Sequence, residues 1–186
     1  RDQRRAAVAG QIAACSKGWW QEFDQAAATE GSPVRPERII RELQASLPLG
    51  HVIVADPGTP TPYTAAMFRV PRAGRTVIIP RAHGGLGYAI PGVVGARLAR
   101  PEATVVGLCG DGSFAMSAGD LATVARAGGP TILIHFNNGC YGWIKALQHL
   151  ECEGRYLNVD FTEDIDYAAV AAGFGLRSFR VRQAGE

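Results

Sequence analysis

Two short stretches stand out for the chemistry their residue types allow. The first is Gly110-Asp111-Gly112-Ser113, the second Asn137-Asn138-Gly139, and each follows an apolar run. Asp111 offers a carboxylate and Asn138 a side-chain amide oxygen, while the main-chain carbonyl two residues on, at Cys140, adds a third oxygen. Magnesium takes about six oxygens in near-octahedral geometry, usually one or two carboxylates with neutral and phosphate oxygens making up the rest. The glycines let the chain approach a phosphate closely, and backbone N–H groups of Gly112 and Ser113 at a helix start suit its anionic oxygens. Either stretch alone reads as a turn. Set one crossover apart, with residues 113–136 between them, the pair points to a magnesium-bound diphosphate.

The elements that must position these loops follow from hydrophobic periodicity. Residues 104–109 and 131–136 read as strands, each ending in one of the two loops, with a helix over 118–127 between them. Upstream, 51–55 is a short strand ending at Asp56, followed by a glycine- and proline-rich loop over 57–62, and 76–79 is another strand. Residues 84–98 carry glycine and alanine at helical spacing, which lets a helix pack closely on a sheet. A helix over 36–47 starts with proline and presents Ile39, Ile40, Leu43 and Leu47, and residues 167–181 read as a helix and then a strand. Alternating helices and continuous apolar strands imply an α/β fold, a parallel sheet with helices on both faces. Ligands of such sheets sit at the carboxyl ends of the strands, where the two loops gather.

Composition narrows the classes. A chain of 186 residues that is 47% apolar can build one substantial core. Its net charge of +2 gives no reason to expect a nucleic acid or an anionic membrane, and the basic start Arg1–Arg5 reads as a solvated helix face. No apolar run is long enough to cross a bilayer, which leads to the expectation of a soluble, cytoplasmic protein. The four cysteines lack C-x-x-C spacing and are expected to be reduced thiols. Residues 1–23 form a helical pattern with Val8, Ile12, Cys15 and Trp19 on one face. A domain seldom starts on such a face, and the expectation is a piece of a longer chain, cut at both ends.

With these stretches in view, the sequence resembles the thiamine-diphosphate-dependent enzymes, whose signature opens with G-D-G and closes with N-N at this kind of spacing. The likeness is to the acetolactate synthase and benzoylformate decarboxylase branch. It covers residues 36–186 and rests on Gly58-Thr59-Pro60-Thr61, the H-G-G-L-G-Y-A-I-P run from His83, G-D-G-S-F from Gly110 and N-N-G-C-Y-G from Asn137. The resemblance implies the thiamine-diphosphate-binding fold, with residues 1–35 as the tail of a preceding domain plus linker and 36–186 as the diphosphate- and magnesium-binding domain, truncated at its C-terminus. By it, Asp111, Asn138 and the carbonyl of Cys140 hold magnesium. Gly110, Gly112, Ser113, Tyr141 and Gly142 meet the cofactor, as do Gly85 and Leu86. Leu86, 25 positions before Asp111, is the bulky apolar side chain that wedges the two cofactor rings into a bent shape. Many acetolactate synthases carry Gly-x-His-Gln near Gly58; here the hydroxyls of Thr59 and Thr61 are the candidates for the same anion. His83 reads as a structural or outer group near the site and His135 as a satisfied core histidine.

The activity so implied is that of a transferase or lyase dependent on thiamine diphosphate and Mg2+. It would decarboxylate pyruvate or a related 2-oxo acid and then join the fragment to a second carbonyl compound, or release it as an aldehyde. In the family the glutamate that activates the cofactor lies on the pyrimidine-binding domain of a partner subunit. This chain is therefore expected to hold an incomplete site and to act within a homodimer or homotetramer. One alternative is the diphosphate-binding subunit of a split decarboxylase, against which the helical stretch 1–23 argues. A non-catalytic nucleotide-binding module would need G-x-G-x-x-G after the first strand and an acidic residue about 20 positions on; residues 51–62 lack it.

Overall fold

The computed structural model describes residues 1–161 and 164–186. Two compact units divide the chain, one of residues 1–45 with 181–186 and one of residues 46–180. In the first, helix α1 (Asp2–Ala28) buries Phe23 and Ala27, with Trp20 edge-on to Phe23 at 5.6 Å. Helix α2 (Pro36–Ser46) opens with the expected proline and buries Ile40 and Leu43.

The second unit runs β1 (Val52–Ala55), α3 (Pro60–Met67), β2 (Val77–Ile78), α4 (Ala89–Ala99), β3 (Val105–Gly110), α5 (Asp111–Ser117), a 3-10 turn (Ala118–Asp120), α6 (Leu121–Ala127), β4 (Thr131–Phe136), α7 (Gly142–Glu151) and α8 (Tyr167–Gly173). The strands form one parallel sheet in the order β2-β1-β3-β4. Every residue of β1 is buried, as expected of a strand covered on both faces. Val52, Val54, Val105 and Cys109 share a core with Ile90 and Val93 of α4 and Leu121 and Val124 of α6. The alternate residues Ile53, Val106 and Leu108 are also fully buried. Each such aliphatic side chain contributes about 1.5–3 kcal/mol.

Chain order places the site. From β1 the chain moves to β2 on one side and returns to β3 on the other, so the order reverses between β1 and β3. The crevice outside the carboxyl ends of those strands is where such sheets bind ligands. Asp56 follows β1, Asp111 follows β3, and Asn137 and Asn138 follow β4.

The elements differ from the sequence expectations at five places. The 57–62 loop is shorter than expected, because Pro60 and Pro62 open α3, where a missing N–H costs nothing. Helix α4 starts at Ala89 rather than near Gly84, since Gly84 (φ +75°) and Gly87 (φ +81°) hold the left-handed region and exclude a helix. The helix expected over 118–127 is a 3-10 turn followed by α6, and α5, which leaves β3 directly at Asp111, precedes it. Helix α7 was not expected and has no buried residue. The closing strand after α8 does not form among the described residues: 174–182 make no ladder with them, and Phe179 and Val181 are left exposed. Alternation supplies strand propensity, but a strand also needs a neighbour to take its N–H and C=O groups.

Candidate functional site

Asp111 is the centre of the carboxyl edge. Its side chain is fully buried, and Oδ1 accepts from Nε2 of His135 at 2.7 Å. Oδ2 accepts from the backbone N–H groups of Gly139 at 2.8 Å and Asn138 at 3.1 Å. The carboxylate at the end of β3 thus fixes the loop that leaves β4. Tyr167, from α8, has its phenol pushed up to about 12, by burial first and by the negative charge of Asp111 second.

The Asn138 amide has two settings. With its nitrogen inward it donates to the Cys140 carbonyl at 2.9 Å and to Asp111 Oδ2 at 3.1 Å. With its oxygen inward it accepts from the Cys140 N–H at 3.4 Å, and three oxygens then converge. Without a cation that cluster is repulsive and the first setting is preferred. Adjacent ligands of an octahedral ion at 2.0–2.1 Å stand about 2.9 Å apart, so the same separations suit one face of a magnesium shell. Among the described residues no three His, Cys, Asp or Glu side chains form a metal cluster. The donor set is instead one carboxylate, one amide and one main-chain carbonyl.

The surrounding glycines are places where a side chain would not fit. A Cβ on Gly142 would strike the Asn138 amide and lie 2.9 Å from the Thr59 hydroxyl, and one on Gly112 would lie 2.5 Å from the Tyr141 ring. Loops after β1, β3 and β4 are thereby brought together at one point. Tyr141 is held in turn by Phe161, edge-on at 4.8 Å, and by its N–H to Val159 O at 2.8 Å. Gly110 closes β3, and Gly112 and Ser113 lie in the first turn of α5. Leu86 is 38% exposed rather than packed in a helix core, and it neighbours Gly58, whose added Cβ would meet its Cδ2 at 3.6 Å. Gly85 and His83 are exposed on the same loop.

Two expectations need correction. Thr61 is not a free hydroxyl donor for an anion: it is buried and donates to the Asp56 carbonyl at the start of α3. Thr59 is half-buried and faces Gly142. His135 is indeed satisfied, yet its partner is Asp111, which makes it part of the site. The signal for it was a polar residue inside an apolar strand, since such a residue requires a polar partner. Asp56 was missed as well. Fully buried, it accepts from Tyr88 N at 3.0 Å and Ala89 N at 2.9 Å, capping α4 and so fixing the Leu86 loop.

Comparison with known proteins adds to this geometry. The sequence profile described as "Thiamine pyrophosphate enzyme, C-terminal TPP binding domain" matches residues 56–186. The sulfoacetaldehyde acetyltransferase of Rhodobacter capsulatus is 29% identical, covering 97% of this chain and 33% of the relative. The mitochondrial acetolactate synthase catalytic subunit of Saccharomyces cerevisiae is 31% identical, covering 90% and 25%. Among solved structures, the thiamine diphosphate-dependent 4-hydroxybenzoylformate decarboxylase of Rhodococcus jostii is similar with a TM-score of 0.75 and 28% identity, covering 83% of this chain and 29% of that one. The chain therefore spans a quarter to a third of the length of these relatives.

Proposed function

Because the chain belongs to the thiamine pyrophosphate enzymes, through their C-terminal TPP binding domain, we propose that its complete protein is a magnesium-dependent 2-oxo-acid decarboxylating enzyme of the acetolactate synthase kind. The observation that carries the metal half of this reading is the convergence of Asp111 Oδ2, the Asn138 amide and the Cys140 carbonyl at 2.9 and 3.1 Å. In this reading those three hold Mg2+. Gly110, Gly112, Ser113, Gly142, Tyr141 and the Thr59 hydroxyl receive the diphosphate, and Gly85 and Gly58 give the cofactor room beside Leu86. Leu86 projects as the wedge beneath the cofactor rings. The cofactor supplies the nucleophilic carbon and accepts the electrons released on decarboxylation. The residues of this chain hold and orient it.

The remaining half of the site is assigned to a pyrimidine-binding domain on a partner subunit, in a homodimer or homotetramer in the cytoplasm. Exposed Leu86, Tyr88, Met116, Tyr141 and Trp143 support a covering partner, since apolar residues gathered at one face mark interaction sites. No helix among the described residues is long and apolar enough to cross a membrane. In the same proposal the cofactor-binding domain begins at residue 36.

The test uses the full-length protein with pyruvate and with benzoylformate, with and without thiamine diphosphate and Mg2+. Cofactor-dependent CO2 release is expected, and none from any 2-oxo acid would overturn the reading. Asp111→Ala should abolish metal-dependent cofactor binding by calorimetry, whereas unchanged binding would refute the ligand assignment. A second reading, simple decarboxylation to an aldehyde, is favoured by the likeness to the 4-hydroxybenzoylformate decarboxylase. Product analysis separates the two, since carboligation leaves a new carbon–carbon bond.

A further inference from the structure

We propose that His135 is a positioning residue that holds Asp111 as a one-oxygen ligand and so sets both the strength of magnesium binding and its preference over calcium. The inference rests on the reading of Asp111 as a magnesium ligand. A carboxylate can give a cation one oxygen or both. Magnesium, with six ligands at 2.0–2.1 Å, favours one, whereas calcium takes six to eight at 2.3–2.6 Å and readily accepts both.

In this site the two oxygens are already distinguished. Oδ1 accepts from His135 at 2.7 Å, while Oδ2 faces the 138–140 loop and the Asn138 amide. A cation drawn to the Oδ2 side meets a carboxylate whose other oxygen is engaged. An ionised carboxylate only accepts, so Nε2 carries the hydrogen. The other ring nitrogen, Nδ1, stands 3.7 Å from the Cys109 sulfur.

The imidazole is held so that this hydrogen cannot wander. His135 pairs in register with Cys109 across β3 and β4. Its ring lies 4.1 Å from that of Tyr167 and is edge-on to Phe114 at 5.1 Å. It is only 14% exposed, against 0% for its carboxylate partner. A residue filling space here would need the volume of an imidazole and no N–H. Outer partners of metal ligands typically change metal affinity 10–100-fold when removed.

The experiment titrates thiamine diphosphate binding to the full-length protein with Mg2+ and, separately, Ca2+, read by calorimetry rather than turnover. His135→Met keeps volume without a donor and should raise the Mg2+ half-saturation about 10–100-fold, with a smaller rise for Ca2+. His135→Gln retains an N–H and should stay within a few-fold of wild type for both ions. If His135→Met does not fold by circular dichroism, His135→Asn, too short to reach Oδ1, is read in the same way. An unchanged Mg2+ half-saturation in the donor-less variant, or an equal rise for both ions, overturns the proposal. Asp111→Ala in the same assay keeps the two readings apart. If it retains metal-dependent binding, the ligand assignment itself fails; if it loses binding while His135→Met does not, only the role of His135 is refuted.

Discussion

A carboxylate shut away from water must be met by donors, and Asp56 and Asp111 are met from different directions. Asp56 takes the N–H groups of Tyr88 and Ala89 from up to 33 residues away. Asp56→Ala would leave one buried and one part-buried donor without an acceptor and should cost about 2–6 kcal/mol, at about 1–3 for each unsatisfied group, measured by denaturant unfolding. Burial lifts the Asp56 carboxyl above its ordinary value, and the donors from Ala89, Tyr88, Ser113 and Gly87 only partly offset it. A carboxyl raised in the folded state contributes stability in full below its unfolded value and loses it as pH rises through the folded one. The stability gap between wild type and Asp56→Asn should therefore move against wild type as pH rises from about 4 to neutrality; a gap widening in favour of wild type would contradict this. That Asp111 and Asn138 meet was legible in the sequence, because each follows the end of a strand and one crossover joins the two strands. The roles of Asp56 and His135 were not, because their partners lie 33 and 24 residues away and only the fold brings them together.

Helix α4 joins the β1 loop to the loop that carries Leu86, and two glycines decide how closely it seats on the sheet. A Cβ on Gly107 of β3 would lie 2.6 Å from Leu133 Cδ2 and 2.7 Å from Val93 Cγ1, and one on Gly92 would lie 2.8 Å from Val54 Cγ1. Gly95, on the same helix, is exposed and has nothing within 4 Å. Gly107→Ala should thus overpack the interface and destabilise by about 1–3 kcal/mol. Gly95→Ala should stabilise by about 0.5–1 kcal/mol, because there the only change is reduced chain entropy. Thermal unfolding of the pair checks both signs, and a stabilising Gly107→Ala would show that α4 can move away from β3. The glycine spacing of this region signalled close packing from the sequence. Which glycine does the packing was hidden, since Gly92 and Gly95 differ only in the face they turn to the sheet.

At the scale of the whole molecule, the open question is what meets the carboxyl edge. The parallel sheet and the gathering of loops were legible, because alternating helices and apolar strands permit few topologies. Helix α7 was missed although Trp143, Ile144, Leu147 and Leu150 recur at helical spacing, a stripe whose Trp143, Ile144 and Leu150 stay exposed in this unit. Trp143 directly follows Gly142, one of the residues assigned to the diphosphate, so a partner seated on α7 would also close the cofactor site. In the full-length protein Trp143→Glu would bring a charge into that contact, where removal or charging of a buried aromatic anchor typically costs 2 kcal/mol or more. The expected outcome is a lower assembly mass by light scattering together with cofactor binding weakened about tenfold or more, with the folded content unchanged by circular dichroism. A variant that keeps both the wild-type mass and its cofactor affinity would mean that the partner domain approaches from elsewhere on the carboxyl edge, over Leu86 and Met116 rather than over α7.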